Sequence, residues 1–499
     1  MKTTTKKSLQ KGAILLAILL LLESLSVLTA CSNEEASKTV DQTTVTDAEQ
    51  NEAVIEELTD GLEDINMEGY EFNILATEMA WTRAKYDAEQ DGEPINDAIS
   101  TRNRYLEERF NCDIVVLSDT AHASAMNKAT NDVQSDDGVF DMVSLYDVYI
   151  SVMLPYIADW NNVSQLKLDK PWWNPDATVV YNWGGKQCTI NGYTSLTAIS
   201  STNAIAFNKD MLETLNVESK ELYDRVRNGS WTLDAMYAYG KQAITDLNGD
   251  SKIDLKDDRF AIQDGNSIKN LVNAAVASAG IRYVGYDANH NPVYQFDNEK
   301  SINMYQKLIE KSFNEGVLIT NAANPDRGTS VPIFLENRAL FVHASMLGME
   351  TVRGVDQFDI GILPFPKFDE TVDDYRSLSV GSATCFLPRT VSPDDYDRIG
   401  TMLEAMAFYS YYEVLPVYKE IALKTKSTRD NESSDMLDII FNTICFDLGH
   451  TLEHIVTKPL IAAAFLKKDS TLVASSIEAN KEVIRAEIEK LLEAAKDIF

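Results

Sequence analysis

The sequence predicts an α/β fold that is divided into two lobes, each built around a doubly wound sheet. Strand-like and helix-like segments alternate, with strands at 71–76, 112–117 and 140–145 and helices at 93–111 and 123–133. Strands separated by helices form parallel sheets, because each helix carries the chain back to the same edge. Roughly 430 residues remain after an N-terminal leader and spacer, which is more than one hydrophobic core usually supports and indicates two lobes.

Residue spacing supports the individual elements. Residues 71–76 alternate polar and apolar side chains, as a short strand does. Pro94 suits the first turn of a helix, and apolar residues recur at helical spacing through 111. The final segment, 477–499, carries one apolar stripe, so we expect a last helix that packs across a lobe near the hinge.

The leader predicts export and attachment to a lipid. Lysines precede an unbroken apolar run of eleven residues at 12–22. At about 1.5 Å per residue this run is too short to cross a hydrocarbon core about 30 Å thick, so a signal peptide fits better than a membrane span. Leu28-Thr29-Ala30-Cys31 resembles the lipobox of bacterial lipoproteins, whose cysteine is linked to diacylglycerol and becomes the mature N-terminus. The alternative is an ordinary secretory site that happens to precede Cys31.

A polar spacer follows this cysteine. Residues 32–67 are rich in acidic and amide side chains and contain no Trp, Phe or Tyr. Such a segment cannot bury enough apolar surface to offset the entropy of ordering it. The sequence therefore predicts a signal peptide at 1–30 and a disordered acidic tether at 31–68 that begins with the lipidated cysteine.

Charge and cysteine content exclude several functions. Lys and Arg number 45 against 77 Asp and Glu, a formal net charge of −32, so nucleic acid and anionic lipid would be repelled. The lipid anchor is the one membrane contact that we expect. The remaining cysteines form no CxxC pair, which argues against a zinc knuckle. We expect buried free thiols, and one disulfide stays open as an alternative. These cysteines are Cys112, Cys188, Cys385 and Cys445.

Several segments, in chain order, resemble the motifs of family 1 extracellular solute-binding proteins. They are PINDAI at 94–99 with Arg102-Asn103, AFNKDML at 206–212, GSWTLD at 229–234, FLENRALF at 334–341, GILPFP at 361–366 and SVGS at 379–382. One departure is Asn337-Arg338, where the family usually has Gly-Lys. Members of this family are the lipoprotein receptors of bacterial ABC importers, particularly importers of sugars.

The resemblance implies a periplasmic-binding-protein-like fold with discontinuous lobes that are joined by a multi-strand hinge. We expect lobe 1 at 69–200 plus 339–386 and lobe 2 at 201–338 plus 387–499. The implied function is non-enzymatic: a monomer on the extracytoplasmic face of the cell membrane captures a sugar or oligosaccharide by lobe closure. The implied partner is an ABC transporter permease, which receives the ligand.

The segment 246–257 has the spacing of a calcium-binding loop, with oxygen-bearing side chains at loop positions 1, 3, 5, 9 and 12. Ser251 and Asp257 replace the usual glycine and glutamate of an EF-hand, so the loop resembles dockerin-type loops. The alternative is a solvated acidic loop. The predicted Ca²⁺ ligands are Asp246, Asn248, Asp250, Lys252 through its carbonyl, Asp254 through a water, and Asp257.

A second pattern, His450-Thr451-Leu452-Glu453-His454, fits the H-x-x-E-H motif of inverted zinc proteases. Two histidines at this spacing arise easily by chance, and no third ligand is evident. We therefore expect no zinc and no catalytic residues here.

Open α/β sheets bind ligands at the carboxyl ends of their strands, so we expect ligand contacts there and near the crossovers between lobes. Sugars present apolar C–H faces that stack on aromatic rings, while their hydroxyl groups need planar carboxylates and amides. Packing in the core is the alternative for each aromatic residue. The predicted contacts are Trp81, Tyr146, Asp147, Trp173, Trp183, Ser201, Asn203 and His343.

Two other functions are compatible with parts of this pattern. A secreted carbohydrate-active hydrolase would also carry surface aromatics and a calcium loop. A sensor-type receptor with the same fold would dock a kinase instead of a permease. The ordered series of motifs favours the importer receptor.

Overall fold

The computed structural model describes residues 59–78, 85–253, 257–265, 267–314, 316–319, 332–352, 357–423 and 431–498. The predicted signal peptide, Cys31 and almost all of the tether lie outside these residues, as do Trp81 and Asp254. The helices and strands below belong to one compact unit that spans 60–499. Within the described ranges, no helix combines the length and the apolar character that crossing a membrane requires.

The strands, in chain order, are β1 (Tyr70–Thr77), β2 (Cys112–Asp119), β3 (Met142–Tyr146), β4 (Asn182–Trp183), β5 (Lys186–Gln187), β6 (Asn203–Asn208), β7 (Phe260–Asp264), β8 (Val284–Tyr286), β9 (Pro292–Tyr294), β10 (Leu318–Ile319), β11 (Ala339–Ser345), β12 (Ile360–Pro364), β13 (Ser377–Leu378), β14 (Ala383–Phe386) and β15 (Ile444–Cys445).

The helices, in chain order, are α1 (Pro94–Phe110), α2 (His122–Ser135), α3 (Ile150–Met153), α4 (Pro175–Val180), α5 (Thr197–Ser200), α6 (Lys209–Thr214), α7 (Ser219–Arg227), α8 (Leu233–Ala243), α9 (Ile268–Ser278), α10 (Glu299–Ile309), α11 (Pro332–Leu335), α12 (Met346–Val352), α13 (Tyr396–Tyr409), α14 (Leu415–Leu423), α15 (Asn431–Asn442), α16 (Leu448–Thr451), α17 (Thr457–Leu460) and α18 (Val473–Ala495).

The first sheet has the order β14-β3-β1-β2, and β1 runs parallel to both of its neighbours. Ile74 belongs to the core cluster that includes Ile99 of α1, whereas the adjacent Leu75 belongs to the cluster that includes Ala125 of α2. Successive residues of a strand point to opposite faces, so α1 and α2 cover opposite faces of the sheet. The prediction of a doubly wound sheet is confirmed for this lobe.

Local sequence fixes both ends of α1. Pro94 occupies the first turn, and the Glu93 carboxylate accepts the backbone N–H of Asn96 at 2.8 Å, which satisfies one of the unpaired donors at the helix start. The helix ends at Asn111, whose left-handed backbone has a φ of 51°.

The second sheet has the order β10-β7-β11-β6-β12. In the expected boundaries, 339–386 belonged to lobe 1, and that assignment is wrong for β11 and β12. Both strands pair with β6, and β11 also pairs with β7. The physical reason is burial: β11 is apolar enough to occupy the middle of the second sheet, so the chain returns to the first sheet only at β14.

The expected boundary at 387 also needs correction. It places α13 in lobe 2, but Met402 of α13 contacts Cys112 of β2, with 3.6 Å between the two sulfur atoms. Its residues belong to the same core cluster as those of α1. The last helix, α18, buries the predicted stripe, including Ile477, Ile484 and Ile488.

The chain crosses between the two sheets at a narrow seam. Thr202 pairs with Ser379, and the Asn203 side chain donates to the carbonyl of Leu378 at 2.8 Å. The backbone N–H of Met346, just after β11, donates to the carbonyl of Thr202 at 2.8 Å. We call residues 201–203 with 378–381 the crossover seam.

Candidate functional site

The first sheet has a switch point at the carboxyl ends of β1 and β3. Because β1 lies between β2 and β3, the chain leaves β1 in one direction and later returns on its other side. The crevice outside such a point is where open α/β sheets bind ligands. Tyr146 ends β3 at this crevice, and the segment after β1 that carries Trp81 lies outside the described residues.

Three half-buried aromatic side chains form a wall at this edge. The ring of His122, at the start of α2, lies 4.9 Å from the ring of Tyr146 and 5.9 Å from the ring of Tyr149. Burial lowers the pKa of His122 and raises the pKa of Tyr146, so both side chains are uncharged near neutral pH. We call His122, Tyr146 and Tyr149 the aromatic wall.

Tyr146, predicted as an aromatic residue at a strand exit, therefore has two aromatic neighbours that are not among the predicted ligand contacts. His122 and Tyr149 also follow strands, β2 and β3, so the rule that selected Tyr146 would have found both. The wall also touches the crossover seam. A Cβ added at Gly381 would lie 1.6 Å from the hydroxyl of Tyr146, so only glycine leaves room for this tyrosine.

Asp147 is buried behind the wall. One of its carboxylate oxygens accepts the hydroxyl of Tyr181 at 3.1 Å and that of Thr451 at 3.4 Å, while Oδ1 has no hydrogen-bond partner. Burial raises the pKa of Asp147 to about 7, although both hydroxyl donors oppose this effect. Asp147 thus links the end of β3 to the segment around Thr451 through hydrogen bonds.

Charged groups lie near the hydrogen bond between Asp147 and Thr451. The Glu453 carboxylate pairs with Lys269 at 2.9 Å and with Lys458 at 2.6 Å. Burial alone would raise the pKa of Glu453, but the two ammonium groups outweigh it and bring the pKa to about 2. Glu453 is also close enough to raise the pKa of Tyr146. Carboxylate, ammonium and aromatic ring are therefore neighbours at the edge of the first sheet.

The structure places the three predicted contacts near the crossovers at different depths. Ser201 is half-buried and donates its hydroxyl to the carbonyl of Gly381 at 3.1 Å. Asn203 is fully buried, and its side-chain oxygen has no partner. His343 is also fully buried, with neither ring nitrogen hydrogen-bonded, and burial lowers its pKa to about 3. The second sheet encloses the ring of His343 and leaves it no exposed surface, and its contact with a ligand stays a prediction.

Trp173 and Trp183 are also buried, and hydrogen bonds hold both indole groups. The indole N–H groups of Trp172 and Trp173 donate to the two oxygens of Glu404, each at 2.8 Å. The indole N–H of Trp183 donates to the carbonyl of Val180 at 2.9 Å. Trp173 and Trp183 are at most 1% exposed, so neither offers a ring face to a ligand.

The H-x-x-E-H histidines point to different environments. His450 is buried with its Nδ1 3.1 Å from the amide nitrogen of Asn273, whereas His454 is 75% exposed and lies against Lys458. In the ranges that the structure describes, no group of three or more His, Cys, Asp or Glu side chains is arranged to hold a metal ion.

The described part of the 246–257 loop is curled by its own carboxylates. Asp246 accepts the backbone N–H groups of Gly249 at 2.6 Å and Ser251 at 2.7 Å, and Asp250 accepts that of Lys252 at 2.9 Å. Gly249 and Ser251 adopt left-handed backbone, with φ of 77° and 66°. Asp254 lies outside the described residues, so the predicted ligand set is not seen as a whole.

No family model matches the sequence, and no curated protein matches it. Solved structures do match. UspC from M. tuberculosis is 14% identical, with a TM-score of 0.56 over 83% of this chain and 100% of that chain. The cyclic α-maltosyl-1,6-maltose binding protein from Arthrobacter globiformis is 13% identical, with a TM-score of 0.54 over 85% and 99% of the two chains.

A third match is an ABC substrate-binding protein from Listeria monocytogenes in complex with cycloalternan. It is 10% identical, with a TM-score of 0.50 over 86% of this chain and 100% of that chain. This chain has the two-lobed fold of substrate-binding proteins. Within this chain, the crossover seam lies where the segments that lead into β6 and β14 pair with each other.

Proposed function

We propose that this chain is an extracytoplasmic receptor that captures a sugar or oligosaccharide between its lobes and delivers it to an ABC permease. The observation that carries the proposal is the meeting of both sheets at one seam. Tyr146 at the end of β3 abuts Gly381, and Met346 after β11 bonds to Thr202. The carboxyl ends of both sheets thus adjoin the crossover seam, beside the aromatic wall.

The side chains at this edge suit a saccharide. The ring of Tyr146 provides an apolar surface for the C–H face of a sugar, while Glu453 and Lys269 provide an acceptor and a donor for hydroxyl groups. The fold supports the same ligand class, because the Arthrobacter protein is named for a cyclic maltosyl saccharide and the Listeria protein was solved with cycloalternan.

Capture requires no chemical step. A ligand that touches both lobes binds the closed arrangement more tightly than the open one and so shifts the population toward closure. The closed form is then the one that a permease recognises. The lipobox-like Cys31 and the polar tether support attachment of a monomer to the outer face of the cell membrane.

A thermal-shift screen of the full chain against a saccharide panel tests this function. A ligand at 100 times its Kd adds about 2.7 kcal/mol to the free energy of unfolding, which raises the Tm visibly. We expect one saccharide class to produce the shift, and Tyr146→Ala to abolish it. Tyr156→Ala is the matched control, because Tyr156 is also half-buried but contacts Gln134, at the end of α2 opposite to His122. A panel without any shift would contradict a saccharide ligand.

We also propose that the 246–257 loop binds Ca²⁺ as a structural staple. The spacing of its oxygen ligands and the left-handed turns at Gly249 and Ser251 support a loop that wraps a cation. Bound Ca²⁺ would hold the two ends of the loop together, between α8 and β7.

Calcium removal tests the loop separately from the cleft. We expect chelator to lower the Tm of the full chain, and Asp250→Asn to remove most of that calcium dependence. Asp287→Asn is the control, because Asp287 also caps backbone N–H groups, those of Asn289 and Asn291, in a turn without the calcium spacing. An identical Tm with calcium and with chelator would contradict the staple.

A further inference from the structure

Four tyrosines on α1 and at the end of α13 form two pairs of neighbouring rings. Tyr105 of α1 is 47% exposed, and Tyr412, just after α13, is 38% exposed. The rings of Tyr105 and Tyr409 are 4.9 Å apart, and those of Tyr411 and Tyr412 are 5.0 Å apart. We call Tyr105, Tyr409, Tyr411 and Tyr412 the tyrosine surface.

Buried aromatic rings support this surface from below. Phe408 lies 4.8 Å from the ring of Tyr412 and 5.0 Å from that of Trp172. Tyr193 packs edge-on against Tyr411 at 5.0 Å. Because Trp172 is itself fixed by its bond to Glu404, the exposed rings rest on a rigid base.

The backbone beneath these tyrosines is held against α1. A π-helical turn, Ser410–Val414, follows α13 and carries Tyr411 and Tyr412. The buried Arg102 guanidinium donates to the hydroxyl of Ser410 at 2.7 Å and so holds this turn against α1. The described residues contain two more such turns, Glu310–Asn314 and Ile461–Phe465, so the turn matters here for holding Tyr411 and Tyr412 in place.

The charges near the surface disfavour an anionic partner. Arg109 lies 3.4 Å from the hydroxyl of Tyr409, but it is already paired with Asp60 and Asp64. The exposed Glu413 follows Tyr412, and the whole chain has a net charge of −32. Anionic polymers and anionic lipids are therefore repelled, while carboxylate and phenol oxygens can accept hydroxyl hydrogens.

We propose that the tyrosine surface is a second carbohydrate site, which binds a neutral polysaccharide outside the cleft. Exposed tyrosine rings stack on the C–H faces of successive sugar units, and their hydroxyl groups with Glu413 bind sugar hydroxyls. The ligand class rests on the proposed function, but the site is separate from the aromatic wall.

Co-sedimentation of the full chain with granular starch and with amorphous cellulose tests this site. We expect the wild type to sediment with at least one polymer. Tyr105→Ala combined with Tyr412→Ala should weaken the apparent affinity by about tenfold or more, which corresponds to about 1.4 kcal/mol. Val483→Ala is the matched control, because Val483 is 61% exposed on α18 and should leave sedimentation unchanged. An unchanged Tm without ligand shows that the double variant is folded.

Different results distinguish this second site from the proposed saccharide site at the aromatic wall. A thermal shift by soluble saccharide that persists in the double variant, together with lost sedimentation, supports a second site. If the wild type sediments with a polymer while no soluble saccharide shifts its Tm, the proposed saccharide site at the aromatic wall is contradicted and the tyrosine surface is supported. A wild type that sediments with neither polymer, or a double variant that sediments equally well, overturns the proposal. Analytical ultracentrifugation covers one more outcome. If the wild type self-associates and the double variant does not, the tyrosine surface binds a second copy of the chain, and the carbohydrate proposal is overturned.

Discussion

At the scale of single residues, Arg102 is a buried cation whose hydrogen-bond partners are all neutral. Its five N–H groups donate to the carbonyls of Tyr86 and Thr194, to the hydroxyl of Ser410 and twice to the side-chain oxygen of Asn103. Burial lowers the pKa of Arg102 to about 10, so the side chain stays charged at neutral pH. Arg102 therefore joins three separate segments of lobe 1 at one point.

Removing this cation should destabilise the first lobe. Arg102→Met leaves several buried acceptors without donors, and we expect a loss of about 3 kcal/mol in the free energy of unfolding. Urea denaturation measures it, with Arg104→Met as the control, because Arg104 is exposed on the same helix. Equal unfolding midpoints for both variants would show that the buried bonds contribute little.

Two buried histidines predict how stability depends on pH. Burial lowers the folded-state pKa of His343 to about 3 and that of His450 to about 4, both below the ordinary value of 6.5. At a pH between 4 and 6.5, the two histidines bind protons in the unfolded chain but stay neutral in the folded one. The stabilising contribution is therefore complete above pH 6.5 and is lost as the pH falls.

The prediction is a free energy of unfolding that decreases between pH 6.5 and pH 4. His343→Gln should remove about 1.4 kcal/mol per pH unit from this slope, since one titrating group is lost. His454→Gln, at an exposed position, should leave the slope unchanged. Urea unfolding at several pH values measures both, and equal slopes in the two variants would contradict the assignment to His343.

At the scale of elements, the crossover seam shapes the end of β3. Gly381 has a left-handed backbone with a φ of 76°, and its missing Cβ leaves the space that the hydroxyl of Tyr146 occupies. Ser201 holds the same glycine through its carbonyl. The position of the aromatic wall thus depends on a residue that is more than two hundred positions away in sequence.

Gly381→Ala tests this dependence. The added Cβ should displace Tyr146 and weaken saccharide binding by about tenfold, or about 1.4 kcal/mol. Gly185→Ala is a matched control, because Gly185 has a φ of 85° with no atom near its Cβ position. Both variants carry a left-handed alanine that costs about 1–2 kcal/mol of stability, so calorimetric titration separates the displacement of Tyr146 from backbone strain. Equal affinities in the two variants would show that Tyr146 does not depend on this space.

Local patterns predicted the elements of the first sheet well, because each pattern lies within a few residues. The predicted helix at 93–111 and strand at 112–117 match α1 and β2 closely. The depth of the tryptophans was not predictable in this way. Trp173 is buried through Glu404, which is 231 positions away, and no local spacing records that bond.

At the scale of the whole molecule, the order of the strands in the second sheet contradicts the expected lobe boundaries. The sequence contains the strands β11 and β12, but hydrophobic periodicity does not say that their partner is β6. The candidate site was partly predictable for a related reason. The strand-exit rule selected Tyr146, whereas the burial of His343 depends on packing between sheets.

The proposed function depends on a saccharide bound at the aromatic wall. Calorimetric titration of the best saccharide from the thermal-shift panel, into wild type, Tyr146→Ala and Tyr156→Ala, tests it most directly. We predict that Tyr146→Ala weakens binding by about tenfold or more, equal to about 1.4 kcal/mol, while Tyr156→Ala matches the wild type. Unchanged affinity in Tyr146→Ala would contradict the proposed function and place the ligand elsewhere on the molecule.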